Sequence, residues 1–181
     1  MSVDRLVWRA AVGVLAFAVA GCGERASSTT GDVTPAAKSE AAVAASNAVQ
    51  FATLRLPLID GGEFDSAAQR GNWVVVNYWA TWCPPCVKEM PELSELHDAH
   101  ENVSVVGLTY EQIEADVLRA ALAKRPVSYP IAIVDPFEMP AGVAAPRGLP
   151  TTYLVDPQGN VAREFLGPVT RADIERAIAA F

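Results

Sequence analysis

The chain has 181 residues, 51% of them hydrophobic and 19% charged, a globular composition with room for one ordinary domain and a modest core. The formal charge is −7 and no run of Lys or Arg occurs, which speaks against nucleic acid as a partner, because such binders carry a basic face.

The chain opens with Arg5 and Arg9 and then an apolar run, "AAVGVLAFAVA", from Ala10 to Ala20. A positive start followed by a short hydrophobic region is the pattern of a secretory signal, and the run is too short for a comfortable membrane span. "VAGC", Val19 to Cys22, resembles a bacterial lipobox. That resemblance implies cleavage before Cys22 and lipidation of its sulfur, which would hold the chain to a membrane. An ordinary signal with a chance cysteine, and an uncleaved anchor, are the other readings. Residues 1–21 are thus expected to form a lipoprotein signal peptide. Residues 22–50 are rich in Ala, Ser and Thr, lack any aromatic residue, and are expected to form a flexible tether. A tether of that length reaches about 30 Å.

The folded domain is expected over 51–181. "FATLRLPLIDGGEF", from Phe51, predicts a small hairpin turning at Gly61-Gly62. "NWVVVNYWA", Asn72 to Ala80, is apolar almost throughout, as in a central strand covered on both faces. From Cys83, the recurrence of Met90, Leu93 and Leu96 predicts a helix, with Pro91 kinking it. Asn102–Tyr110 is a strand and Ile113–Lys124 an amphipathic helix. Tyr129–Asp135, Pro150–Asp156 and Asn160–Leu166 are strands, the last two joined by a turn at Gly159. Thr170 with Asp173 three residues on predicts a capped closing helix. The order is a hairpin, then β-α-β-α-β, then a hairpin and a helix, which is an α/β sandwich around one mixed sheet.

Three cysteines occur: Cys22, Cys83 and Cys86. If a lipid takes Cys22, one close pair remains, in "WATWCPPCVKEMP". A structural metal would need two further ligands, and no second close pair exists. His97 and His100 share a helix face but lie far along the helix from Cys83, and fit a solvated helix end. As a staple the pair closes a tiny loop and stabilises little. As a redox couple it is well placed. Cys83 stands where strand becomes helix, so first-turn N–H groups and the helix dipole favour a thiolate there. Pro84 suits the first helical position. Cys86 is one turn inside, placed to resolve a mixed disulfide formed by Cys83.

"VVVNYWATWCPPCVKEMP" resembles the thioredoxin active-site strand and helix, and "RGLPTTYLVD", Arg147 to Asp156, resembles that family's second signature. More narrowly the chain is similar to the membrane-tethered reductases of the TlpA, ResA and CcmG kind. The resemblance implies an α/β thioredoxin-like fold: a central mixed sheet flanked by helices, an N-terminal hairpin, and a β-α insertion over Glu111–Pro130. It implies a cis Pro150 packed near the cysteines, and Leu149 pairing its backbone with a partner chain. Trp82 would form a docking surface beside an exposed Cys83 sulfur, with Pro84 and Pro85 at its side, while Trp79 belongs to the core. Cytoplasmic thioredoxins carry a buried Asp six residues before the first cysteine. Asn77 stands there and cannot take a proton. The narrower group has a glutamate three residues after the second cysteine, and Glu89 stands there, to manage the proton of Cys86. Glu111 has two readings, a cleft-facing acid of the group or a helix N-terminal acid favoured by the dipole.

The function so implied is a thiol–disulfide oxidoreductase of the bacterial cell envelope, on the periplasmic side. It needs no cofactor, takes electrons from a membrane donor and reduces disulfide-containing envelope proteins, cytochrome c maturation being one setting. A thiol oxidase of the same fold runs the exchange the other way, and the residues leave that direction open. A copper-binding assembly factor is the remaining alternative. Its relatives space the cysteines more widely and add a later histidine, and none occurs here after His100.

Overall fold

The computed structural model describes residues 51, 53–140, 143 and 145–181. The expected signal peptide, Cys22 and the tether lie outside the described residues. Among the described residues no helix is long and apolar enough to cross a membrane.

A hairpin comes first, β1 (Arg55–Pro57) and β2 (Glu63–Asp65), paired antiparallel. It turns through Gly61 and Gly62, whose φ angles of 94° and 80° suit glycine. Its strands are shorter than the sequence suggests. Beyond Pro57 the chain leaves β2 and runs against a sheet edge, where Ile59 N donates to Ile131 O at 2.9 Å. After a 3₁₀ turn at Ser66–Gln69 come β3 (Trp73–Trp79), α1 (Pro84–Ala99), β4 (Val103–Tyr110), α2 (Ala115–Leu122) and β5 (Ile131–Val134). Then follow β6 (Thr151–Val155), β7 (Val161–Leu166) and α3 (Arg171–Ile178).

The five-stranded sheet has the order β5-β4-β3-β6-β7. β3, β4 and β5 run parallel, and β6 and β7 are antiparallel additions. The expected element order holds, with a thioredoxin-like mixed sheet and its helices. β3 lies at the centre, which explains its nearly continuous apolar sequence. The steps β3-α1-β4 and β4-α2-β5 move the same way across the sheet. Right-handed crossovers therefore put both helices on one face. One core cluster accordingly joins Leu93 and Leu96 of α1, Leu118 of α2 and Ile174 of α3 to Val75 and Trp79 of β3. Leu93 and Leu96 are completely buried, each contributing about 1.5–3 kcal/mol. The hairpin covers the other face, where Leu56 and Phe64 meet Val76, Tyr78 and Leu108.

α1 continues through Pro91 to Ala99. α2 begins at Ala115, two residues later than the periodicity suggests, with Glu114 at its N-cap. α3 has the full capping box: Thr170 Oγ1 accepts from Asp173 N, and Asp173 accepts from Thr170 N. His97 and His100 are half-buried and partnered, so the solvated helix end is corrected. His97 Nδ1 accepts from Val105 N at 3.2 Å, and His100 Nε2 lies 2.9 Å from Glu175 Oε1.

Gly107 of β4 is where the sheet surface must stay bare. A Cβ there would lie 2.5 Å from Ile131 Cδ1, 3.0 Å from the Tyr129 ring and 3.2 Å from Trp79 Nε1. Gly107→Ala is expected to cost about 1–3 kcal/mol through overpacking. Urea unfolding at constant pH measures this, and an unchanged midpoint would show that Ile131 yields freely.

Candidate active site

β3 delivers the chain to the site. After Trp79 it turns through Ala80–Trp82, and Cys83 becomes the N-cap of α1. Glu111, just past β4, fixes this turn. Its Oε1 accepts from Thr81 N at 2.7 Å and its Oε2 from Thr81 Oγ1 at 3.1 Å. Glu111 lies outside α2, so the helix-terminus reading is corrected: the helix starts four residues further on. The acid ties the end of β4 to the approach loop of the cysteines.

Cys83 and Cys86 are joined by a disulfide with Cα atoms 5.3 Å apart. Cys83 is only 4% exposed and Cys86 is fully buried, so the expectation of an exposed Cys83 sulfur is corrected for the oxidised state. The neighbours carry the exposure instead: Pro84 and Pro85 are open, and Trp82 is 66% exposed. An N-cap side chain normally accepts from the N–H of the second or third helical residue. Here the second is Pro85, which has none, so only Cys86 N–H remains for a Cys83 thiolate.

The Leu149–Pro150 peptide bond is cis. Leu149 and Gly148 form one wall of an open groove, with Trp82, Tyr110, Glu111 and Pro136 among its other lining residues. Trp79 is buried in the core.

Behind the cysteines sits a buried polar constellation. Glu89, one turn beyond Cys86, is 2% exposed. Its Oε1 accepts from Asn77 Nδ2 at 2.7 Å, and its Oε2 accepts from Val169 N at 2.8 Å. Asn77 is fully buried and also donates from Nδ2 to Thr152 Oγ1 at 2.9 Å. Asn77 Oδ1 has no hydrogen-bond partner among the described residues. Burial pushes the Glu89 carboxyl up to about 7, against the pull of the Val169 and Asn77 hydrogen bonds. The Tyr129 hydroxyl is pushed up as well, by burial and by the nearby Glu89.

Sequence reasoning picks out Asn77 and Glu89 but not Thr152, Val169 or Tyr129. Thr152 faces Asn77 directly in the β3–β6 register, and only the strand pairing brings the two together. Among the described residues no group of three or more His, Cys, Asp or Glu side chains is arranged to hold a metal.

This arrangement supports dithiol–disulfide exchange: a sulfur pair at a helix start, a groove walled by Leu149 just before the cis-proline, and a buried acid able to change protonation near neutrality. The model of the AhpC/TSA family matches residues 47–171. The chain is 33% identical over 119 residues to the thiol–disulfide oxidoreductase ResA of Geobacillus kaustophilus, covering 65% of this chain and 68% of that one. It is 26% identical over 118 residues to the sporulation thiol–disulfide oxidoreductase A of Bacillus subtilis, covering 63% and 71%. Among solved structures, a DsbF homologue from Corynebacterium diphtheriae superposes with a TM-score of 0.62 at 28% identity, over 71% of this chain and 83% of that one.

Proposed function

The chain belongs to the AhpC/TSA family and is a thiol–disulfide oxidoreductase of thioredoxin-like fold, and from that premise we propose that it works in the cell envelope as a protein-disulfide reductase. Cys83 is the nucleophile and Cys86 the resolver. The Cys83 thiolate attacks one sulfur of a partner disulfide, the partner S–S bond breaks, and the leaving sulfur takes up a proton. Cys86 then gives its proton to Glu89 and attacks Cys83 Sγ. The mixed disulfide breaks, the second partner sulfur takes up a proton from solvent, and the partner leaves as a dithiol. Two electrons have passed to the partner, and the Cys83–Cys86 disulfide remains for a membrane dithiol donor to reduce.

The observation that carries this reading is the Cys83–Cys86 disulfide at the start of α1, beside a groove bounded by Trp82 and Leu149. In that groove Trp82 packs against the partner's side chains and the Leu149 backbone pairs with its main chain. Pro84, Pro85, Pro150 and Glu111 hold the geometry. The direction draws support from the two prolines. A thiolate with fewer N–H donors is less stabilised, which disfavours the reduced form and makes the pair more reducing. The envelope location rests on the apolar run at Ala10–Ala20 and on "VAGC", with Cys22 as the lipid-bearing residue. Disulfide-containing envelope proteins, including those of cytochrome c maturation, are the substrates in this reading.

The reduction potential of the pair tests the direction. A value near that of thioredoxin, about −270 mV, is expected; one near about −120 mV would make the protein an oxidant. Equilibration with glutathione, followed by alkylation and mass spectrometry, reads it.

A further inference from the structure

Glu89 presents two oxygens to two donors, Asn77 Nδ2–H and Val169 N–H. That arrangement suits the carboxylate. When Glu89 takes a proton, one oxygen becomes an O–H that accepts poorly, and a donor facing it holds it less well than an acceptor would. Val169 N–H belongs to the main chain and cannot reverse. Asn77 can, because half a turn of its carboxamide exchanges Nδ2 and Oδ1. Oδ1 would then stand about 2.7 Å from Glu89 Oε1 and 2.9 Å from Thr152 Oγ1, both within the range of O–H···O bonds. The Thr152 hydroxyl accepts in one orientation and donates in the other. Oδ1 leaves no partner behind, since it has none among the described residues.

We propose that Asn77 is a reversible positioning residue whose carboxamide turns over with the protonation of Glu89, with Thr152 reversing its hydroxyl in step. The inference rests on the reading of Glu89 as the proton site of the exchange. With Nδ2 toward Glu89, the pair holds the carboxylate. With Oδ1 toward it, the pair holds the protonated acid. Each state keeps two hydrogen bonds at Asn77, donated by Nδ2 in one and accepted by Oδ1 in the other, and leaves one amide group unpaired, so neither form of Glu89 is stranded. A fixed acid at position 77 would instead have placed two carboxyl groups face to face. The other titratable groups at Glu89 are the Cys86 thiol one turn back on α1 and the Tyr129 hydroxyl ahead of β5. Glu92, one turn on, is engaged with Arg171 N at 3.1 Å. β3 and β6 bring only the uncharged Asn77 and Thr152.

Nuclear magnetic resonance of the full chain in its oxidised form tests this, with labelled Asn amides and Glu carboxyls. As pH falls through the Glu89 titration, the Asn77 Nδ2 protons are expected to shift upfield and to lose their cross-peaks to Thr152. Their midpoint should match that of the Glu89 carboxyl carbon. Glu89→Gln offers an N–H where the neutral acid offers its O–H, so in that variant the Asn77 signals should hold the low-pH pattern at every pH. Asn77 signals that stay still while Glu89 titrates would overturn the switch and leave the proton role of Glu89 standing. So would a shift confined to the Val169 amide. A Glu89 carboxyl that does not titrate would remove both the proton role and the switch.

Discussion

Cys83→Ser is expected to reduce turnover of a disulfide-bonded model protein to the uncatalysed background. A serine hydroxyl forms no comparable nucleophile near neutral pH, and Cys86 is fully buried and cannot replace it. Cys86→Ser should behave differently. Cys83 still attacks, but no second sulfur resolves the product, so a covalent mixed disulfide with the partner accumulates. Non-reducing electrophoresis of the two variants, mixed with the oxidised partner, separates these outcomes. An adduct formed through Cys86 in the Cys83→Ser protein would reverse the assigned roles. Folding should be nearly indifferent to either change, because the bridge spans a separation of only three residues.

Glu89→Gln is expected to stabilise the oxidised protein above neutral pH. The carboxyl rises from an ordinary 4.5 to about 7 on folding, with burial as the leading cause. Between those values the folded chain binds the proton more tightly than the unfolded chain. Stability therefore falls as pH rises through that window and is flat beyond it. A shift of this size corresponds to about 3 kcal/mol. Glutamine cannot ionise, so the variant should lose this pH dependence. It should match the wild type at about pH 4 and exceed it by up to about 3 kcal/mol at about pH 8. Urea midpoints across that range measure the difference. The same substitution should flatten the pH profile of exchange if Glu89 takes the Cys86 proton. Equal profiles for both proteins would assign the buried acid to packing alone.

The contrast between Cys83 and Asn77 shows what a single sequence discloses. The cysteine pair, the strand before it and the proline loop are local words, each carrying its own physical reason. Their chain order then fixes a mixed sheet with β3 at its centre. The glutamate is visible because the resembling group carries one three residues after the second cysteine, and helical spacing then places it one turn from Cys86. Its surroundings are not. Thr152 lies 75 residues from Asn77, and Val169 lies 80 from Glu89. Those pairings follow from strand register and from where α3 docks, which no local pattern specifies. Glu111 illustrates the opposite error. An acid before an amphipathic run suggests a helix start, but its carboxylate goes to Thr81 across the strand ends, and the helix begins later. Cys83 burial is equally hidden, since it depends on the packing of the core cluster that takes in the residue.

That burial has a kinetic consequence. With 4% of Cys83 open and Cys86 sealed, a small thiol finds little of the oxidised bridge to collide with. Thiol–disulfide exchange depends on access as much as on potential. On the reading proposed above, a protein docked at Trp82 and the Leu149 edge would bring its own sulfur up to the bridge. Exchange of the oxidised bridge with small thiols is therefore expected to be slow, so equilibration with glutathione needs time, while a docked protein would exchange faster.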